Sequence, residues 1–234
     1  MAIGRESGRA GALISIVIPA LDEETALERC LESTRDPRVA EVVVVDGGSG
    51  DRTTEIAARL ADRVLLAARG RASQMNAGAA ATTGAILLFL HADTRLPGGF
   101  GDAVERAVAG GAVGGRFDVR VRGRHPGFPL LSAAINARSR WSGIATGDQA
   151  IFATREAFAE AGGFEPVPLM EDVRFSAALK RIGPVAALHE RVSTSGRRWE
   201  EHGFVRTVLL MWRLRLLHAL GVAPARLAAS YLRR

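Results

Sequence analysis

Four short apolar runs in the N-terminal part of the chain, most of them closed by charged or polar residues, constrain the fold more than any other feature. Leu13–Ile18 ends at Pro19, Glu41–Val45 ends at Asp46, Val64–Ala67 is weaker, and Ala85–Leu90 ends at His91. Near-continuous apolar runs of this length are the pattern of strands buried on both faces of a parallel sheet. Helical patterns separate them. Glu24–Glu32 carries Ala26, Leu27, Cys30 and Leu31 on one side, Thr53–Leu60 carries Ile56, Ala57 and Leu60, and Ala72–Ala81 is rich in alanine. Repeating β-α units imply an α/β fold, a mostly parallel sheet flanked by helices with its sites at the strand C-termini.

The pattern changes after Leu96-Pro97. A helix over Phe100–Val108, a strand over Val113–Val121, a loop over Arg122–Pro129, a strand over Ala150–Ala153 and a helix over Glu171–Arg181 are expected, followed by a long helix over Phe204–Leu220. The expected organisation is a nucleotide-binding half (13–96), an acceptor half (97–200) and a basic helical segment (201–234). Residues 1–12 are rich in Gly, Arg and Ser, show no apolar signal core, and are expected to form a disordered leader.

Apolar residues make up 47% of the 234 and charged residues 24%, which is ordinary globular composition and excludes a disordered chain. Cys30 stands alone, so no intramolecular disulfide forms, and a cytoplasmic location is expected. The net charge of +6 lies entirely after residue 196, where eight Arg face two Glu; before it, 23 basic residues balance 23 acidic ones. Only 6% of the chain is aromatic, whereas a nucleic-acid surface interleaves aromatics with its cations, so no nucleic-acid partner is expected. No apolar run reaches the ~18–20 residues of a membrane span. In Phe204–Leu220 large apolar residues lie nearly all round; Arg206 and Arg213 fall about 20° apart in helical projection, and Arg215 lies on the opposite side. An interfacial helix would segregate its cations. The pattern therefore favours packing against the domain or a second copy, with peripheral contact at the inner membrane face as the alternative.

The polar strand ends carry the chemistry. Pro19-Ala-Leu-Asp-Glu-Glu24, Asp46-Gly-Gly-Ser-Gly-Asp-Arg-Thr53 and His91-Ala-Asp-Thr94 should converge on one crevice of an open sheet. Helix capping accounts for Asp22, Ser49 and Asp51, but not for Asp46 or Asp93. The glycines after Asp46 do not form a dinucleotide fingerprint, which needs G-x-G-x-x-G with its acid about 20 residues later. His91 and Asp93, two residues apart on an extended segment, offer imidazole and carboxylate ligands for Mn²⁺ or Mg²⁺. Arg69-Gly-Arg71 supplies guanidinium groups for phosphate oxygens.

In their order these segments resemble the motifs of family 2 glycosyltransferases. The resemblance rests on Ile16–Glu24, Val42–Thr53, Gly70-Arg-Ala-Ser-Gln-Met-Asn-Ala-Gly78, Leu88–Thr94 and Met170-Glu-Asp172, and covers about residues 13–200. It is closest to the bacterial arsenosugar-biosynthesis or radical-SAM/selenium-associated subset, through Gly70–Asn76, His91–Thr94 and Thr194–Trp199. The resemblance implies a GT-A fold and transfer of a sugar from a nucleotide-sugar, with UDP expected, to a small-molecule or lipid-linked acceptor. It implies that Pro19, Ala20 and Glu23 line the nucleoside pocket, that Asp46 accepts a hydrogen bond from the base, and that Arg71 contacts the pocket or the diphosphate. It further implies a divalent metal at Asp93, with His91 beside it, and Asp172 as the base of an inverting reaction. Asp148, Glu171, Arg198 and Trp199 fall on the acceptor or donor-sugar side.

Three departures stand out. His91 replaces the first Asp of the D-x-D pattern, Gly47 replaces the second Asp of Val-Asp-Asp-Gly-Ser, and Ser195 replaces the Gln of the processive synthases' Gln-x-x-Arg-Trp. Two rival readings remain at this level. A nucleotidyltransferase shares the α/β core but carries a glycine-rich basic loop after its first strand, where this chain has Pro-Ala-Leu-Asp-Glu-Glu. A catalytically inactive nucleotide-sugar-binding protein would not need both Asp93 and Asp172.

Overall fold

The computed structural model describes residues 13–232, so the leader expected over residues 1–12 lies outside the described residues. The N-terminal half alternates β1 (Ile14–Ala20), α1 (Leu27–Glu32), β2 (Val39–Asp46), α2 (Thr53–Leu60), β3 (Arg63–Leu66), α3 (Arg71–Ala81) and β4 (Ile86–Phe89). Its four strands pair in parallel in the order β3-β2-β1-β4. The two-residue side-chain period divides them between two cores. Ile14, Ile16, Ile18, Val42 and Val44 pack beneath α1 and α2, and Val17, Val43 and Val45 pack against Ala72, Met75 and Ala79 of α3.

The C-terminal half adds β5 (Thr94–Arg95), α4 (Phe100–Ala109), β6 (Gly114–Arg122), α5 (Phe128–Ser142), β7 (Ile151–Thr154), α6 (Arg155–Glu160), α7 (Glu171–Ile182) and β8 (Val185–Ser195). The helices α8 (Arg197–His202), α9 (Phe204–Ala219) and α10 (Pro224–Leu232) follow. One eight-stranded sheet results, in the order β3-β2-β1-β4-β7-β6-β8-β5, with β7 antiparallel to both neighbours and β6 parallel to β8. Among the described residues no helix is long and apolar enough to cross a membrane.

Several elements differ from the sequence reading, which also did not anticipate β5, α6 or α8. β1 runs through Pro19 to Ala20, because β4 pairs only with Ile14–Val17 and the missing proline N–H falls beyond that ladder. The expected loop over Arg122–Pro129 gives way at Phe128 to α5, where Pro129 sits in the first turn and its absent N–H is harmless. β8 was not anticipated: His189, Glu190 and Arg191 break its apolar pattern, since much of the strand is only half buried.

The sheet also explains Gly78. A β-carbon there would drive into Val17 Cγ1 and approach Val45 Cγ2 at 3.0 Å, so α3 lies against β1 and β2 only without a side chain at this position. Gly78→Ala is therefore expected to destabilise the protein by about 1–3 kcal/mol despite alanine's better helix propensity, read as a lower urea midpoint.

Candidate active site

The strand C-termini of the parallel half are tied together by their loops. The N–H groups of Asp22, Glu23 and Glu24 donate to Ser49 Oγ (3.0 Å), Thr53 Oγ1 (2.8 Å) and Asp51 Oδ2 (3.0 Å). In return Gly50 and Arg52 N–H donate to Asp22 Oδ1 and Glu24 Oε2. Asp22 and Asp51 thus shape loops and do not cap helices, contrary to the capping reading: the residues before α1 and α2 are Ala26 and Arg52, and no side chain caps either helix. Asp46, 2% exposed, turns into its own loop: Oδ2 accepts from Gly48 and Ser49 N–H, and Oδ1 from the Ser49 hydroxyl.

The sequence reading missed Gln74. From α3 its buried amide donates at 2.8 Å to both Ala20 O and Val45 O, joining the ends of β1 and β2 beneath Pro19, Ala20 and Asp46. A lone amide among Ala72, Met75 and Ala79 on the buried side of α3 is the signal that could have found it.

The tail closes over this edge. Arg197 pairs with Glu23 at 3.2 Å, another contact the sequence reading missed. Burial pushes the Glu23 carboxyl up, Arg197 draws it down and Asp93 raises it again. Arg71, the first residue of α3, pairs with buried Glu171 at 3.4 Å and donates a hydrogen bond to Tyr231 of α10. Burial opposes its charge, but Glu171, Tyr231 and Asp172 outweigh that and hold the guanidinium protonated. Glu171 is itself pushed up by burial and by Asp172. Arg198 lies 3.7 Å from the centre of the Tyr231 ring, so it joins the site through that tyrosine. Trp199 packs edge-on against Phe128, with no partner for its buried indole N–H among the described residues.

The third cluster gathers His91, Asp93, Asp148 and Asp172. Asp93 faces Glu23 and Cys30, and His91 sits among Arg71, Asp93, Asp148 and Asp172. Burial and then Arg71 lower the imidazole pKa, favouring a neutral ring. Its ring fills the space a side chain at residue 147 would take, which leaves that position to glycine. Asp172, in the first turn of α7, accepts 2.7 Å hydrogen bonds from Gly147 N–H at Oδ2 and Val173 N–H at Oδ1. Asp148, in the adjoining turn, keeps a buried Oδ1 with no partner among the described residues. Two arginines that the sequence reading left unassigned, Arg138 and Arg215, stand within electrostatic reach of both aspartates. Burial, helped by Arg215, pushes the Arg138 pKa down to about 10.

Among the described residues no three His, Cys, Asp or Glu side chains assemble into a metal site. A hard cation does not need three here. Mg²⁺ and Mn²⁺ in phosphate-transfer sites are held by one or two protein donors and completed by substrate oxygens and water. The carboxylate of Asp93, with a neutral His91 beside it, suits such a shell.

The family profile described as Glycosyl transferase family 2 matches residues 15–161, well over half of the chain. The chain belongs to glycosyl transferase family 2. A PGL/p-HBAD biosynthesis glycosyltransferase of Mycobacterium bovis is 38% identical over 96 residues, 37% of this chain and 38% of that protein. The glucosyl-3-phosphoglycerate synthase of Mycobacterium tuberculosis is 33% identical over 100 residues, 38% of this chain and 31% of that protein. Sequence similarity thus spans only about a third of each of these relatives. The fold extends further. A crystal structure of that synthase with Mn²⁺, UDP and glucosyl-3-phosphoglycerate matches with a TM-score of 0.62 at 24% identity, covering 90% of this chain and 80% of that one. Staphylococcus aureus TarS (residues 1–349) gives 0.62 at 16% identity, covering 78% and 60%. The mixed sheet with flanking helices is the GT-A architecture expected of the family.

Proposed function

We propose that this family 2 glycosyltransferase moves a sugar from a UDP-sugar to a hydroxyl acceptor, with a divalent cation at Asp93 and Asp172 as the base. The observation that carries the reading is convergence: Arg71, the His91-Ala-Asp93 segment and Asp172 come from three separate segments and meet at one end of the sheet. Structures of the Mycobacterium tuberculosis synthase with UDP and either Mn²⁺ or Mg²⁺ support the choice of nucleotide and ion. Pro19, Ala20 and Glu23 line the nucleoside pocket, Asp46 braces its floor and accepts from the base, and Gln74 fixes the two strand ends beneath it. Asp93, with His91 beside it, would hold the cation, which supplies positive charge against the diphosphate.

In the reaction the acceptor hydroxyl gives its proton to a carboxylate oxygen of Asp172 as its oxygen attacks the anomeric carbon. The bond from that carbon to the β-phosphate oxygen breaks, its electron pair leaves on the nucleoside diphosphate, and the configuration inverts. Arg71 meets the charge that develops on the leaving diphosphate, and a pre-placed guanidinium needs no reorganisation to do so. Asp172 is already oriented by two backbone N–H groups. Asp148, Glu171, Arg198 and Trp199 border the acceptor and donor-sugar side. The arsenosugar-type subset remains the narrower assignment we propose, on Gly70–Asn76, His91–Thr94 and Thr194–Trp199, with a cytoplasmic location and with peripheral contact of residues 201–234 at the inner membrane face.

The test is a UDP titration with and without Mn²⁺, followed by UDP release from a panel of UDP-sugars. UDP binding that Mn²⁺ strengthens, together with release from one donor, is expected; a chain that ignores UDP sinks the reading. Arg71→Gln should weaken UDP binding about tenfold or more, because it removes charge-assisted hydrogen bonds worth roughly 1.5–3 kcal/mol.

A further inference from the structure

Eight large hydrophobic side chains are exposed among the described residues, and all but Leu66 sit on α5 and α9. On α9 they are Val205, Leu209, Trp212 and Leu216, with Leu220 at its C-cap, spaced by three or four residues, so they form one stripe about 80° wide. On α5 Leu130 and Trp141 lie within about 20° of each other in projection, with exposed Ala134 and Ala137 between them. Trp141 is 91% and Trp212 67% exposed. The two helices meet at their N-terminal ends. Phe204 at the start of α9 stacks on His125 and meets Phe128 at the start of α5, and further along Arg215 comes within electrostatic reach of Arg138. Thr207 and Leu214 bury the opposite side of α9, so its stripe points away from the core.

The cations of α9 are sorted in the same way. Arg215, which in projection alone spoils the segregation expected of an interfacial helix, turns inward toward Asp148 and Asp172 and leaves the outer face. Arg206 and Arg213 stay exposed along one flank of the stripe. No Asp or Glu occurs between residues 202 and 234. An apolar stripe with tryptophan, bordered by arginine and free of acids, is the pattern of a helix lying in the headgroup region of an anionic bilayer.

We infer that the outer face of α5 and α9 is a docking surface for an anionic lipid bilayer. It extends the peripheral contact proposed for residues 201–234 to a second helix and gives that contact an orientation. Arg138 of α5 and Arg215 of α9 both lie within electrostatic reach of Asp148 and Asp172, so the helices that carry this face also border the acceptor side of the proposed site.

The test is flotation of the full chain with phosphatidylglycerol/phosphatidylcholine vesicles and with phosphatidylcholine alone, alongside UDP titration of each protein. Binding to the anionic vesicles is expected, falling as salt is added. Leu209→Glu/Leu216→Glu should weaken it at least about a hundredfold and Arg206→Gln/Arg213→Gln about fivefold per arginine, while Trp141→Glu alone should weaken it measurably. All variants should bind UDP as the parent does, which shows that they fold. No flotation at low salt, or flotation untouched by these substitutions, overturns the inference. So does a parent dimer that Leu209→Glu/Leu216→Glu converts to monomer without any vesicle binding, since the face would then belong to a second copy. UDP binding that fails in the parent strikes the transferase reading and leaves the flotation result to stand by itself.

Discussion

Asp172→Asn is expected to cut turnover by at least about 10²-fold while leaving UDP-sugar affinity within about twofold of the parent, because it removes a proton acceptor and nothing that holds the nucleotide. The structure sharpens this expectation. Both carboxylate oxygens accept backbone hydrogen bonds, from Gly147 and Val173 N–H, so Asp172 also ties the start of α7 to the turn that carries Asp148. Asparagine satisfies one of these donors and turns its own NH₂ toward the other, which should cost about 1–3 kcal/mol of stability. A purely structural residue would show that loss together with weaker binding and modestly lower turnover. A base shows a collapse of kcat with donor affinity intact, and well below the melting temperature the two are separable. Comparable turnover in Asp172→Asn would reduce Asp172 to a brace of the α7 start.

The parallel half was legible because β1, β2 and β4 are buried on both faces, and double burial leaves an uninterrupted apolar run. It was legible at the site for a related reason. A charged residue directly after such a run, as at Asp46 or at His91 and Asp93, must lie at the rim of the sheet. β8 was not, because a half-exposed strand whose centre reads His189-Glu190-Arg191 carries neither an apolar run nor clean alternation. α5 was hidden by Pro126-Gly127 and Pro129, residues that read as turn but here start a helix. Contacts made across the fold left no local trace. Nothing near Tyr231 in sequence tells that its hydroxyl reaches Arg71, and nothing near Arg197 that it pairs with Glu23. Arg215 is the instructive case. Helical projection placed it correctly on the far side of α9 from Arg206 and Arg213, but only the fold shows that this side faces two aspartates, and that reverses what the projection implied about the helix.

Asp93→Ala should abolish the Mn²⁺ dependence of UDP binding, leaving only the weak affinity found without the ion, whereas His91→Asp should keep or strengthen that dependence. The expectation follows from the charges around Asp93. It stands close enough to Glu23 to raise that carboxyl's pKa, so in the ion-free protein the two carboxylates repel one another. Its hydrogen bond from Thr94 Oγ1 is long, at 3.3 Å, and contributes little. A residue that repels its neighbours and is weakly held does not stabilise the empty fold. Asp93→Ala should therefore melt at or above the parent temperature without ion, yet lose the rise in melting temperature that UDP with Mn²⁺ gives the parent. His91→Asp restores the two-carboxylate pattern of the family in the space the imidazole fills against Gly147, and a smaller side chain fits there without moving the turn. Two measurements decide it, UDP affinity across a Mn²⁺ series and the melting temperature of each protein without ion. An Asp93→Ala protein that melts lower but binds UDP with unchanged Mn²⁺ dependence would make Asp93 a structural residue and move the cation elsewhere in the crevice.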